Sequence, residues 1–209
     1  FYYLASFIVL AGIPYVNAMY IALVIAGAIG WVGMYLFVKM LLEIATHSTT
    51  LRASYPRNDM IHIAAMISAS MFLLTPYRIS QLYVRAAYGE FLATSLVPFI
   101  FFGILALMQK TKSNHLKDLP YGMGALTASV LAAVLLSHQP TLLMALPFIV
   151  CWVICLWILT QNTRGVVCVA VASIVGLLLS STFLFPLILE QQFIRASALA
   201  SNYFDFRMH

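Results

Sequence analysis

The sequence predicts an all-α fold, a multi-pass bundle of transmembrane helices. Hydrophobic residues make up 63% of the 209 residues and charged residues 8%, whereas soluble domains average ~25% charged residues. The mean hydropathy is +0.98. The hydrophobic residues are also gathered into runs close to the ~17–25 residues that a helix needs to cross a bilayer. These observations exclude a soluble globular domain.

The apolar runs predict about six spanning helices in a single transmembrane domain that covers residues 1–209. They occupy residues 18–42, 60–75, 91–108, 121–136, 141–160 and 166–187. Residues 1–12 are also apolar but too few to span, so they predict an interfacial or re-entrant segment. Residues 137–140 (SHQP) predict a tight antiparallel hairpin. Because the chain starts at Phe1 without a methionine, we expect it to be a piece of a longer protein.

Small residues recur along the first spanning run. Gly27, Gly30 and Gly33 follow one another at intervals of three, which brings them to neighbouring positions on a helix surface. Small side chains let the backbones of two membrane helices approach closely. The pattern therefore predicts a surface on which another helix packs. It does not predict a phosphate-binding loop, because no strand precedes it.

The distribution of Lys and Arg predicts which ends of the spans face the cytoplasm. If the six spans alternate in direction, one side holds seven basic residues, which are Lys39, Arg52, Arg57, Lys110, Lys112, Lys117 and Arg164. The other side holds four, which are Arg78, Arg85, Arg195 and Arg207. Cytoplasmic loops carry the excess of positive charge, so we expect the second side to be extracytoplasmic. The basic residues lack the clustering typical of a nucleic-acid-binding surface.

Residues 75–90 (TPYRISQLYVRAAYGE) carry several charges between two apolar runs. Arg78 and Arg85 are seven residues apart, so on one continuous helix they share a face, and Tyr77 and Tyr83 flank it. The planar fork of donors in arginine matches phosphate and carboxylate groups. The segment therefore predicts a binding site for an anionic group. The alternative is an interfacial loop with snorkelling arginines and an aromatic belt.

Polar residues on the same expected side are candidates for chemistry. Glu90, His138 and Glu190 are the candidate catalytic groups, since carboxylates accept protons or orient hydroxyls and imidazole shares protons near neutral pH. The candidate substrate-binding residues are Tyr77, Arg78, Tyr83, Arg85, Gln139 and His209. A site at the edge of the bilayer suits a ligand with a lipid tail and a charged head, such as a polyprenyl-phosphate sugar.

Each of these groups also has a structural interpretation. Glu90 can pair with Arg85 or Arg78, Glu190 can pair with Arg195, and the His138 side chain can cap the helix before it. The step from Arg85 to Glu90 turns a helix by about 140°, so the two converge only if Gly89 breaks the helix. A divalent metal site is a further possibility, with His138, Glu190, Asp205 and His209 as ligands. Their spacing does not specify one.

Several stretches resemble a family of bacterial membrane proteins described as 6-pyruvoyl-tetrahydropterin-synthase-related, which is similar to the GT-C glycosyltransferase superfamily. These stretches are PYRISQLYVRAAYGEFLATSLVP (76–98), LLSHQP (135–140), FLFPLILEQQFI (183–194) and NYFDFRMH (202–209), with FYYLAS (1–6) and GMYLF (33–37). Tyr83, Arg85 and Glu90, and the pair Ser137 and His138, carry the most specific part of the likeness. No residues resemble the three-histidine zinc site of a pterin synthase.

The resemblance implies a GT-C-like fold and an activity. Enzymes of that superfamily transfer sugars from lipid-phosphate carriers at the outer face of the membrane, which would place this chain in the bacterial cytoplasmic membrane and in cell-envelope synthesis. It implies a sugar-donor or metal-binding role for Glu90 and a phosphate-binding role for Arg78 and Arg85. The usual catalytic Asp of the superfamily would precede Phe1.

Two other classes of function fit the same sequence. A transporter or lipid-carrier flippase predicts polar residues and broken helices within the membrane. A non-catalytic assembly subunit would need only the small-residue packing surfaces. The charged residues lie at the ends of the apolar runs and not in their middles, which favours chemistry at the membrane surface over transport.

Overall fold

The computed structural model describes residues 1–48, 58–111 and 121–190, and every regular element in these ranges is an α-helix. In chain order the helices are α1 (Tyr2–Leu10), α2 (Tyr15–Ser48), α3 (Asn58–Leu73), α4 (Pro76–Tyr83), α5 (Tyr88–Lys110), α6 (Tyr121–Ser137), α7 (Gln139–Thr160), α8 (Thr163–Leu179) and α9 (Ser181–Leu189). The predicted all-α fold class is therefore confirmed.

Three of these helices, α2, α5 and α7, are long and apolar enough to cross a membrane. The helices α3 and α4 together meet the same condition as a fourth span, bent by 42° at the break between them. The apolar helices α6 and α8 have 17 residues each, at the lower end of what a spanning helix needs. The described part of the chain thus has three or four candidate spans, and the count of six stays a prediction.

The structure has one helix break at the end of a predicted span and another inside a predicted span. Residues 60–75 end as a helix at Leu73, because Pro76 begins α4 and the residue before a proline is driven out of the helical region. Thr75 has ψ 139°, as this rule requires. Residues 166–187 are divided at Ser180 between α8 and α9. The predicted short connection is present, since His138 is the only residue between α6 and α7, and the antiparallel packing of these two helices stays a prediction.

Helix α5 is the centre of the bundle. It packs against α2 on one side and against α6, α7 and α8 on the others, and Ile100, Ile104 and Leu107 on it are almost fully buried. The predicted glycine surface contributes to the α2 contact: a Cβ atom at Gly30 would lie 3.1 Å from Ser95 Oγ, and one at Gly33 would lie 2.6 Å from the Phe99 ring. At Gly27 the space within 4 Å is empty, so that glycine lies outside the contact.

The ends of the helices fall into two groups. At one end of the bundle, the side-chain amide of Asn162 donates to the Met108 carbonyl at 2.7 Å, which joins the start of α8 to the last turns of α5. At the opposite end, the first turn of α5 meets the turn after α6, where a Cβ at Gly89 would lie 3.0 Å from the Ser137 carbonyl oxygen. Residues 76–90 and 137–140 therefore share one end of the bundle, as alternating spans require.

Substitution of Gly165 by Ala is expected to destabilise the fold. A Cβ atom there would lie 2.7 Å from Met108 Sδ and 3.0 Å from Met108 Cα. Relief of the second contact requires a shift of the α5 backbone, which is packed on several sides. We expect the free energy of unfolding to fall by about 1–3 kcal/mol, as for overpacked cores. Gly124→Ala is the matched control, because nothing lies within 4 Å of its Cβ position. Gly124→Ala should raise the free energy of unfolding by about 0.5–1 kcal/mol, because alanine is favoured over glycine inside a helix. Equal effects in thermal unfolding in detergent would contradict the α5–α8 packing.

Candidate functional site

The chain between α4 and α5 makes a tight turn that brings Arg85 back toward Glu90. Helix α4 ends at Tyr83, and the backbone N–H groups of Val84 and Arg85 both donate to the Ser80 carbonyl, at 3.0 and 2.9 Å. Ala86 has φ +48°, a left-handed conformation that alanine rarely adopts. The break allows two residues that a helix would separate to meet.

This turn corrects two expectations. Arg78 and Arg85 do not share a helical face, because Arg85 lies beyond the end of α4. Arg85 and Glu90 do converge, but the break lies at residues 84–87 and Gly89 is inside the first turn of α5. The left-handed residue is an alanine, so composition gave no signal for the position of the break.

Glu90 is the centre of a polar cluster at the start of α5. Its side chain is 7% exposed, and its Oε2 lies 3.2 Å from Nη2 of the half-exposed Arg85 side chain. The Tyr77 hydroxyl donates to Oε1, and Arg85 Nη1 lies 3.4 Å from the same oxygen. Oε2 accepts no well-aligned hydrogen bond from the described residues. The predicted Arg85–Glu90 pair is therefore present, and Oε2 is buried against the Arg85 guanidinium.

Arg78 lies in the interior and not beside Arg85. It is 2% exposed, and its guanidinium donates to Thr94 Oγ1 at 3.0 Å and to Ser95 Oγ at 2.6 Å. The rings of Phe72 and Phe91 cover it, at 4.6 and 4.2 Å from Cζ to the ring centroids, the geometry of cation–π contacts.

The charge of Arg78 is not neutralised by these contacts. Among the described residues no carboxylate forms an ion pair with it, and its Nε–H has no hydrogen-bond acceptor. Buried donors without acceptors are rare in proteins and call for an explanation.

His138 lies at the α6–α7 turn, at the same end of the bundle as Glu90. Its Nδ1 lies 2.8 Å from the Thr141 hydroxyl on α7, so the side chain faces the following helix and does not cap the preceding one. The neighbouring Gln139 is the first residue of α7 and is partly buried. The approach of Gly89 to the Ser137 carbonyl brings this turn against the start of α5.

Two other candidate residues in the described ranges, Tyr83 and Glu190, are exposed, and a third, His209, is not described. Tyr83 is 84% exposed, and Glu190 is exposed at the end of α9 with no hydrogen bond or ion pair to the Glu90 cluster in the described ranges. His209 falls outside the described residues, as do Asp205, Arg195 and Arg207. Within the described ranges no three His, Cys, Asp or Glu side chains are close enough together to hold a metal ion.

A cavity of about 680 Å³ begins at Arg78 and extends along α5 and α7. We call it the Arg78 cavity. Its polar lining is Thr75, Tyr77, Arg78, Thr94 and Thr141, and its apolar lining is Met34, Phe37, Phe72, Val97, Pro98, Phe101, Met144, Ala145, Phe148 and Trp152. By helix register the polar residues lie at the end of the bundle that holds Glu90. The apolar residues reach ~10 Å deeper along α5.

Sequence reasoning missed the residues that hold Arg78 in place. Thr94 and Ser95 follow Arg78 by 16 and 17 positions. They lie inside residues 91–108, which the sequence predicts only as an apolar span. A signal was present, since two adjacent hydroxyl residues one turn after Glu90 are polar groups in a membrane segment, which usually face the interior of a bundle. Gly30 on α2, predicted for packing, provides the room in which Ser95 reaches Arg78.

The site thus consists of a surface cluster around Glu90 and an amphipathic cavity beneath it, joined by Tyr77, which belongs to both. The surface cluster offers a half-exposed cation paired with a buried carboxylate. The cavity offers an apolar wall with a cation at one end. In comparisons with known proteins, no protein-family model, no curated protein and no solved structure matches this chain.

Proposed function

We propose that this chain is part of a GT-C-like membrane glycosyltransferase that uses a polyprenyl-phosphate-linked sugar at the extracytoplasmic face. The proposal includes the six-span topology, with α6 and the pair α8 and α9 as the remaining crossings. It rests on the family resemblance and on one structural observation: the contact between Arg85 and Glu90 at the end of a spanning helix. A phosphate-binding group and a hydroxyl-binding group are thereby adjacent at the edge of the bilayer.

The two arginines have different parts in this proposal. The Arg85 side chain is 53% exposed and is free to rotate toward a phosphate, for which its fork of donors is suited. Arg78 is buried and already engaged with two hydroxyls, so we assign the carrier phosphate to Arg85. Tyr83 and Gln139, near the same end of the bundle, are available to contact the sugar.

Glu90 is proposed to orient the sugar. Its Oε2 is buried against the Arg85 guanidinium, so rotation of Arg85 toward the phosphate would uncover this oxygen for a sugar hydroxyl, while the Tyr77 hydroxyl holds Oε1 in place. A group held by its neighbours loses little entropy when substrate binds, which is the basis of preorganised sites. His138 on the adjacent turn is the proposed proton-sharing partner.

Sugar transfer in liposomes tests the proposal. The full-length protein is reconstituted and supplied with a radiolabelled polyprenyl-phosphate sugar and an extract of envelope acceptors. We expect labelled product at the outer face that depends on the protein. Movement of labelled lipid between leaflets without any transfer would contradict the glycosyltransferase proposal.

That outcome would favour a lipid-carrier flippase, the second candidate. Its specific support is the 42° break between α3 and α4 with the buried Arg78 next to it, since broken helices with a polar group inside the bundle are typical of transporters. The liposome assay separates the two because it measures product formation and leaflet exchange in the same sample.

The proposed orientation predicts which cysteines are accessible from outside. In a variant without the native Cys151, Cys155 and Cys168, we expect a cysteine at Gln139 to react with a membrane-impermeant maleimide added to intact cells. A cysteine at Thr163, at the opposite end of the bundle and exposed, should react only after the cells are permeabilised. The reverse labelling pattern would place the Glu90 cluster in the cytoplasm.

A further inference from the structure

The Arg78 cavity combines three features that point to a ligand. Its wall is almost wholly apolar. One end holds a buried cation whose Nε–H has no acceptor and which has no carboxylate partner among the described residues. Its volume of about 680 Å³ lies within the ~300–1,000 Å³ of small-molecule sites. An ionised group in a membrane bundle is costly unless it is compensated, and such groups usually mark a binding site or pathway.

The cavity is open toward the lipid-facing surface of the bundle. Met144 and Phe148, which line it, are 72% and 70% exposed, and they belong to the candidate span α7. A ligand can therefore enter from the hydrocarbon region and need not cross the Glu90 cluster. The volume has room for one hydrocarbon chain, which is why we take a single-chain lipid as the occupant.

We propose that the Arg78 cavity binds a single-chain anionic lipid of the bilayer, with its chain between α5 and α7 and its carboxylate or phosphate head on Arg78. The head accepts from Nε–H and compensates the buried charge, while the chain covers Phe101, Phe148 and Trp152. Charge complementarity carries the choice of an anionic head, because neutral hydroxyls are the only hydrogen-bond acceptors that the described residues offer Arg78. The proposal does not depend on glycosyl transfer.

Trp152 provides a direct test, because it lines the cavity and contacts Phe37 and Phe101 at 5.8 and 6.2 Å between ring centroids. With Trp31 and Trp157 changed to Phe, it is the only tryptophan, since the chain has three. Bromine atoms on a lipid chain quench tryptophan fluorescence on contact. The purified full chain in detergent is titrated with dibrominated stearate, at a pH where the acid is ionised, and separately with dibrominated stearyl alcohol.

We expect saturable quenching by the stearate, with half-saturation about tenfold or more below that of the alcohol, the effect of charge-assisted hydrogen bonds. Arg78→Met should remove the difference between the two probes. The matched control keeps Trp157 in place of Trp152: Trp157 is 44% exposed on the same helix and outside the cavity, and it should not distinguish acid from alcohol. Ala145→Phe, which fills the cavity without touching Arg78, should remove saturable quenching by both probes.

Two results would overturn the proposal. The first is quenching that does not depend on the cavity: equal quenching by acid and alcohol in the protein with native Arg78, a preference for the acid that survives Arg78→Met, or saturable quenching that survives Ala145→Phe. The second is displacement of the stearate by polyprenyl phosphate at a concentration about tenfold lower, because the occupant would then be the carrier lipid. Neither result depends on whether sugar is transferred, so this proposal and the proposed function can fail separately.

Discussion

Replacement of Glu90 by Gln is expected to lower sugar transfer by about tenfold to a hundredfold, the effect of losing a hydrogen bond from the sugar to a charged group. The amide keeps the size of the side chain and can still accept from the Tyr77 hydroxyl. It cannot neutralise Arg85, 3.2 Å away from Oε2, and it offers one acceptor oxygen where the carboxylate offers two. The initial rate of labelled product formation in liposomes measures the effect.

Glu43→Gln is the matched control for this change. Glu43 pairs with Lys39 one turn earlier on α2, at 3.8 Å, and its side chain is 49% exposed. Such surface pairs contribute little to stability, ~0–1 kcal/mol, so the control should transfer sugar at the normal rate. If Glu90→Gln also transfers normally while unfolding at the normal temperature, the cluster is an interfacial ion pair and not a site.

Two substitutions of Arg78, by alanine and by methionine, are expected to differ in their effect on the free energy of unfolding. Arg78→Ala removes the side chain that fills the space between Phe72 and Phe91, and we expect the free energy of unfolding to fall by about 3 kcal/mol or more, as for large-to-small changes in cores. Arg78→Met keeps most of the side-chain volume and should lower the free energy of unfolding by about 1 kcal/mol or less. Denaturant unfolding in detergent, followed by tryptophan fluorescence, gives both values.

Arg78→Met is expected to lower the free energy of unfolding only slightly because of the hydrogen-bond partners of Arg78. Replacing a buried charge by an apolar side chain of similar size is often neutral or stabilising, provided that no charged partner is left behind. Here the partners are the hydroxyls of Thr94 and Ser95, and both keep an acceptor in the Phe91 carbonyl, at 3.0 and 2.8 Å. If Arg78→Met proves as destabilising as Arg78→Ala, the charge of Arg78 itself stabilises the fold. The lipid proposal would then be contradicted, because it assumes that this charge is uncompensated without a ligand.

The helical class and the positions of the helices could be predicted from the sequence because they depend on local properties. Apolar runs, proline at the start of α4 and α7, and the short connection at residues 137–140 all act within a few residues. The interruption at Ser180 was missed, since an apolar run of that length carries no proline or glycine at the break. Composition indicates a membrane helix but does not determine where it bends.

The candidate site was predictable only in part. The sequence offered Glu90 either Arg85 or Arg78 as a partner, and it allowed the pair with Arg85 only if the helix breaks between them. The left-handed Ala86 that lets them meet, with φ +48°, has no local signature. Tertiary contacts must therefore hold it there, among them the approach of Gly89 to the Ser137 carbonyl.

By itself, the sequence determined that this is a helical membrane protein with its arginines and acids at the ends of apolar segments, because hydrophobicity and charge are properties of single residues and short runs. Only the tertiary structure decided that Arg78 is buried under two phenylalanine rings while Arg85 stays at the surface. The two arginines have similar local surroundings in the sequence. They differ because residues of α3 and α5 cover Arg78, whereas a break in the helix turns Arg85 outward.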